Sequence, residues 1–171
     1  MGVGSVLVGH AVAVGGTVEP TGTKGTGVLS GLGSQFMGFT RVKVDSGATW
    51  TVDASIGVLG GTTIIGAGGN DALVVTDSGT IALSRVTGFP AFELSNAGAN
   101  RLRLTDANFA GGTGGTITIN GWTAADTIAL SKLSRDHTVV INGGGGDDVV
   151  RLLGPRRDGS GRQRRRRARR G

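Results

Sequence analysis

The chain has no cysteine. That excludes disulfides, thiolate metal centres and a cysteine nucleophile, and it fits an exported or surface protein of bacterial type. There is no tyrosine, and aromatic residues make up only 4% of the chain. A core must therefore come from Val, Ile, Leu and Ala, which suits thin, layered β structure better than a large globular interior. Three prolines in 171 residues rule out collagen and a proline-rich linker. No apolar run approaches the roughly 18 residues of a membrane helix. Residues 1–16 are mildly apolar but lack a basic first segment, so they make a poor signal peptide. If the protein is exported, an upstream segment missing from this chain or another route is expected. Walker loops, nucleophile elbows and His-Glu-x-x-His helices are missing too, and the glycine-rich stretches do not lead into helices.

Glycine is what the chain has in excess. Its 34 glycines are nearly three times the usual share of about 7%, and they fall between short apolar runs, as corners between strands would. The length leaves room for one domain. The net charge of +6 is unevenly spread: residues 152–171 hold nine Arg and one Asp, while residues 1–151 hold nine basic and eleven acidic groups. The high isoelectric point thus belongs to the tail rather than the body.

Two stretches repeat at a spacing of 22. Thr116-Ile117-Thr118-Ile119-Asn120-Gly121 returns as Thr138-Val139-Val140-Ile141-Asn142-Gly143, and Asp126-Thr127-Ile128-Ala129-Leu130 returns as Asp148-Val149-Val150-Arg151-Leu152. Weaker copies precede them at offsets of 21 to 29 residues. Aligned by sequence, Val44, Ile65, Leu94, Ile119 and Ile141 occupy one strand, and Leu73, Leu102, Ile128 and Val150 a second. Period two puts these side chains on one face of each strand, and the longer period stacks like upon like. Each buried aliphatic contributes roughly 1.5–3 kcal/mol; one coil cannot offset its chain entropy, but a stack can. The expectation is an all-β, right-handed parallel β-helix (β-solenoid) of about 21–29 residues per coil, with surplus residues looping out near 84–90 and no helix anywhere. Residues 1–40 are expected to form irregular first coils, with strand signals at Val6-Leu7-Val8, Ala11-Val12-Ala13-Val14 and Val28-Leu29. Residues 41–153 are the repeats. Residues 154–171, half of them Arg and with no apolar residue except Pro and Ala, cannot pack and are expected to be a disordered tail. They could hold an anionic surface or nucleic acid electrostatically, but the abrupt change of composition reads rather as a shifted frame through a GC-rich gene.

The glycine–aspartate corners carry the sharpest chemical signal. Gly143-Gly144-Gly145-Gly146-Asp147-Asp148-Val149-Val150 fits G-G-x-G-x-D-x-φ throughout, and Gly66-Ala67-Gly68-Gly69-Asn70-Asp71-Ala72-Leu73 fits with one change. This resembles the calcium-binding nonapeptide of the repeats-in-toxin (hemolysin-type) family. The resemblance implies calcium as the one candidate cofactor, held by Asn70 and Asp71, by Asp126, and by Gly143, Gly145, Asp147 and Asp148, with Asp148 stacked on Asp126 and Asp71 stacked on Asn100. Family motifs run in tandem, whereas these two lie 77 residues apart. Calcium takes six to eight oxygens, and the plainer reading is that Gly and Asp suit a tight β-corner. Asp126 and Asp148 also allow a polysaccharide-cutting carboxylate pair, although no sugar-stacking aromatic or basic residue repeats with them. His10 and His137 are isolated, His137 in a corner expected to be solvated, and Trp50 and Trp122 read as packing or coil-edge residues.

The stretch Val42-Lys43-Val44-Asp45-Ser46-Gly47-Ala48-Thr49-Trp50-Thr51-Val52 is similar to a unit of the β-strand-repeat passengers of bacterial autotransporters and large adhesins. That resemblance, over residues 20–153, implies a non-enzymatic scaffold outside the cell or on its surface, binding an unknown surface or extracellular ligand. It implies no specific nucleic-acid partner and no catalytic residues. The family's outer-membrane barrel is not in this chain.

Overall fold

The computed structural model describes residues 1–5, 9–111, 113–134 and 136–152. The strand signal at Val6-Leu7-Val8 and the Arg-rich tail lie outside the described residues. In chain order the strands are β1 (Ala11–Val12), β2 (Thr17–Val18), β3 (Thr26–Leu29), β4 (Phe36–Met37), β5 (Arg41–Lys43) and β6 (Thr49–Ala54). A short helix, α1 (Ile56–Gly61), precedes β7 (Thr63–Ile65), β8 (Ala72–Val75), β9 (Thr80–Ile81), β10 (Val86–Thr87), β11 (Ala91–Glu93) and β12 (Arg101–Thr105). After a 3-10 turn (Asp106–Phe109) come β13 (Thr116–Asn120), β14 (Thr127–Lys132), β15 (Thr138–Asn142) and β16 (Val149–Arg151).

Every strand pairing is parallel. Successive strands never pair with each other along the coil; they pair with the strand one coil away, and the chain winds as a β-solenoid of about six turns. Three faces result. The first runs β2-β5-β7-β10, the second β3-β6-β8-β11-β13-β15, and the third β9-β12-β14-β16. Strands β1 and β4 pair in a separate two-stranded sheet. The N-terminal strands β2 and β3 continue the first and second faces.

Inward-pointing residues pile up at the ~4.8 Å spacing of paired strands. On the second face, Leu29, Val52, Leu73, Phe92 and Ile119 form one column, each fully buried. Its steps are 23, 21, 19 and 27 residues, then the 22 that links Ile119 to Ile141. On the first face Val18, Val42, Ile64 and Val86 stack likewise. Trp50 is buried in the same interior, and its ring fits because Gly27 stands opposite: a Cβ there would come within 2.5 Å of it.

Helices replace strands at two rungs. Ser55 caps α1 by accepting the Val58 N–H at 3.3 Å, and Leu59 fills the interior at the level where a third-face strand would otherwise begin. The first face ends above β10 because the 3-10 turn takes the next rung. Buried Asn108 donates to the carbonyls of Leu83 and Val86, both at 2.8 Å, and its Oδ1 accepts the Thr105 N–H. One side-chain amide thus satisfies backbone groups that a strand would have paired. Both turns correct the expectation of no helix. The surplus loop expected near residues 84–90 is corrected too: it holds β10, and Val86 and Phe89 are fully buried.

Candidate functional site

The two glycine–aspartate patterns sit at different corners. Between β7 and β8 the chain turns from the first face to the second. Gly68 and Gly69 make the turn with φ of +81° and +63°, the left-handed region that glycine enters without a Cβ penalty. Asp71 closes the corner and is 1% exposed. Its Oδ1 accepts the Trp50 N–H at 2.8 Å, from the preceding coil, and its Oδ2 accepts the Ala67 N–H at 2.9 Å, from its own corner. Burial raises its pKa above the ordinary 3.8, opposed by the two amide donors. Asn70, beside it, is exposed. The expected stacking of Asp71 on Asn100 is corrected: Asp71 stands over Trp50, and Asn100 belongs to another corner. Both residues precede a strand after a glycine-rich turn, so sequence aligned them; the winding separates them by one face.

That other corner turns from the second face to the third. Asn100, Asp126 and Asp148 form one column there, each immediately before a third-face strand. The N–H and the side-chain amide of Asn100 both donate to Asp126 Oδ1 at 3.0 Å. The Asp126 N–H donates to Asp148 Oδ1 at 2.9 Å. Each coil therefore offers a side-chain oxygen to the main chain of the coil before it, as Asp71 does at the first corner. Gly143 and Asp148 are half-buried, and Gly145 and Asp147 are exposed. The second oxygen of Asp126 differs from the rest. The residue is 2% exposed, Oδ2 has no hydrogen-bond partner, and it lies against Gly121, where a Cβ would approach it within 2.9 Å.

The cation chemistry of the two corners follows. Asp71 has an amide donor on each oxygen and stands apart from the other carboxylates, so its corner does not fit a calcium site. The Asp126–Asp148 corner brings two carboxylates together from adjacent coils and keeps one buried oxygen, Asp126 Oδ2, without a donor, so in charge it fits. No group of three or more His, Asp or Glu side chains converges among the described residues, and backbone carbonyls would have to complete any coordination there.

His137 corrects another expectation. Its imidazole is stacked on Phe109, with centroids 4.0 Å apart and planes at 8°, and Nε2 lies 3.5 Å from Asp106 Oδ1. His10 is exposed, Trp122 is an exposed corner residue and Trp50 belongs to the core. A feature not singled out from sequence lies on the outer side of the second face. The Asn142 side chain donates to Asn120 Oδ1 at 2.7 Å, and Asn120 donates to Glu93 Oε1 at 2.5 Å. The spacing of 22 between the two asparagines was the available signal. Set against known proteins, the chain matches no family model, no curated protein and no solved structure.

Proposed function

We propose that this solenoid is a non-enzymatic scaffold displayed on a bacterial surface or secreted, of the adhesin or passenger kind. One observation carries the reading. The buried side chains of Asp71, Asn108 and Asp126 hydrogen-bond to the main chain of a neighbouring coil, and the buried Asn100 amide ties its own corner's carbonyls to the Asp126 carboxylate one coil away, which is what a stiff rod needs and a catalytic cleft does not. The acid–base pair raised by Asp126 and Asp148 has little support, because Asp126 is buried beneath the corner and a polymer chain could not reach it. Function then rests on length, stiffness and the outward sides of the three faces. Protease shaving of intact source cells tests this: release of the protein without lysis is the expected result, and a protein that stays protected until lysis overturns it.

A calcium-responsive module is the second reading, favoured by the donor-free oxygen of buried Asp126. It would be supported by a rise in melting temperature on adding calcium, reversed by chelator and lost in Asp126→Asn. Indifference of the wild type to calcium would dispose of it.

A further inference from the structure

The third face has an outward side unlike the others. Strand β12 reads Arg-Leu-Arg-Leu, so Leu102 and Leu104 go inward and Arg101 and Arg103 stand in solvent. In register with them, Arg101 neighbours Thr127, which neighbours Val149, and Arg103 neighbours Ala129, which neighbours Arg151. Thr80 flanks Arg101 on the other side, and Lys132 is paired with Thr105 at the end of the sheet. Four of the eight basic side chains among the described residues are therefore on this one sheet, and no outward position of its strands is acidic. None of the four makes an ion pair among the described residues. The nearby carboxylates are engaged elsewhere. Asp126 and Asp148 accept corner amides, Asp106 accepts the Ser134 N–H, and Asp77 accepts the Ile56 N–H; Asp147 alone stands exposed at the corner. Arg103 and Arg151, two rungs apart, are separated by about 9.5 Å, with the small side chain of Ala129 as a low point between them.

We propose that this side of the third face, framed by Arg101, Arg103, Lys132 and Arg151, binds a linear acidic polysaccharide. The flat sheet suits an extended polymer. The arginines offer forked donors to carboxylate or sulfate groups, and the hydroxyls of Thr80, Thr127 and Ser131 lie among them to meet sugar hydroxyls. A single-stranded nucleic acid would call for aromatic stacking platforms, and the strands of this face carry none. A bilayer would call for apolar anchors, and Val149 is the only large apolar residue on it. This inference rests on the surface-scaffold reading and names its partner.

The full chain is tested, because residues 152–171 carry nine arginines of their own. Binding to immobilised polygalacturonate and to heparin is compared for the wild type, for Arg101→Ser/Arg103→Ser/Arg151→Ser, and for a tail control, Arg165→Ser/Arg166→Ser/Arg167→Ser. Oligo(dT) and phosphatidylserine vesicles are run in parallel. All three replaced face residues are exposed, so circular dichroism and melting temperature should not change. The face variant is expected to bind the acidic glycans about 10- to 100-fold more weakly at low salt, with a smaller loss in the tail control. Equal losses in the two variants, or none in the face variant, overturn the proposal. So does a face-dependent affinity for oligo(dT) or vesicles that matches or exceeds that for the glycans. Protease shaving reports separately: a chain released from intact cells that ignores these glycans keeps the scaffold reading and loses this one, whereas a chain protected until lysis removes the scaffold reading whatever it binds.

Discussion

Asp71 and Asp148 end two glycine-rich stretches of nearly the same spelling, yet the backbone takes different paths through them. In the first, Gly68 and Gly69 adopt positive φ; in the second, Gly144 and Gly146 do. The one departure in the pattern, Ala67 in the place of Gly144, follows from this. Gly144 has φ of +79°, and a Cβ there would collide with the Trp122 carbonyl, whereas among the described residues none other than glycine, Ala67 included, has positive φ. The first corner lies in mid-stack, where Asp71 holds one buried and one partly buried amide. The second lies on the last described coil, where Asp148 accepts one amide and its own strand has Val149 and Val150 exposed. The pattern marks a sharp turn that must tie one coil to the next. The energy at stake depends on whether a coil has neighbours on both sides.

The largest expected contrast is in the core. Phe92→Ala, between Leu73 and Ile119, should cost about 3–5 kcal/mol. Val150→Ala, at a side chain 42% exposed, should cost less than about 1 kcal/mol. Urea unfolding measures both, and equal losses would break the contrast between middle and end. Next come the two aspartates. Asp71→Ala leaves two amides without their acceptor and should cost about 2–4 kcal/mol; Asp148→Ala leaves one and should cost about 1 kcal/mol. Reversal of that order would mean that Asp148 holds something besides an amide.

Smaller effects sharpen the backbone comparison. Gly69 and Gly146 occupy the same place in the two patterns. Gly69→Ala meets nothing within 4 Å, so it should cost only the left-handed strain of about 1–2 kcal/mol. Gly146→Ala should cost more, since its Cβ would lie 2.8 Å from the Ala124 carbonyl; thermal melting of the two variants decides. The smallest effect is the titration of Asp71. Because burial raises its pKa above 3.8, the folded chain holds this proton at pH values where the unfolded chain has lost it. Its contribution to stability therefore grows as pH falls through the raised value and levels off below 3.8. The melting temperature of the wild type, measured relative to Asp71→Asn, should rise as the solution is acidified from about pH 7 to about pH 3.5. A fall would mean that the amide donors outweigh burial.

Much of the stack was legible. Period-two alternation and the 22-residue step placed Ile119 beside Ile141 and Ile128 beside Val150, and those pairs are neighbours. The column of Asp126 and Asp148 was legible from the same step. The number of faces was not. Strands β2, β9 and β10 are two residues long, too short for an alternation to register, so a three-sided coil read as two strands and a loop. With one side uncounted, Leu73 was aligned with Leu102, although it stacks between Val52 and Phe92. The outward basic pair of β12 was not singled out from sequence, although the alternation of Arg-Leu-Arg-Leu was the available signal; its continuation to Arg151 depended on register.

By itself the sequence determined that the chain stacks short parallel strands, where it bends sharply and, in most strands, which residues turn inward; in β7 it chose Ile65, whereas Ile64 is the buried one. Alternation and glycine placement are local properties, and they survive any error in counting coils. Only the tertiary structure decided which face each strand joins, which amide each aspartate holds, and that four cations share one side. Those depend on the summed lengths of successive arcs, and a helical turn or a two-residue strand shifts that sum while leaving the local pattern intact.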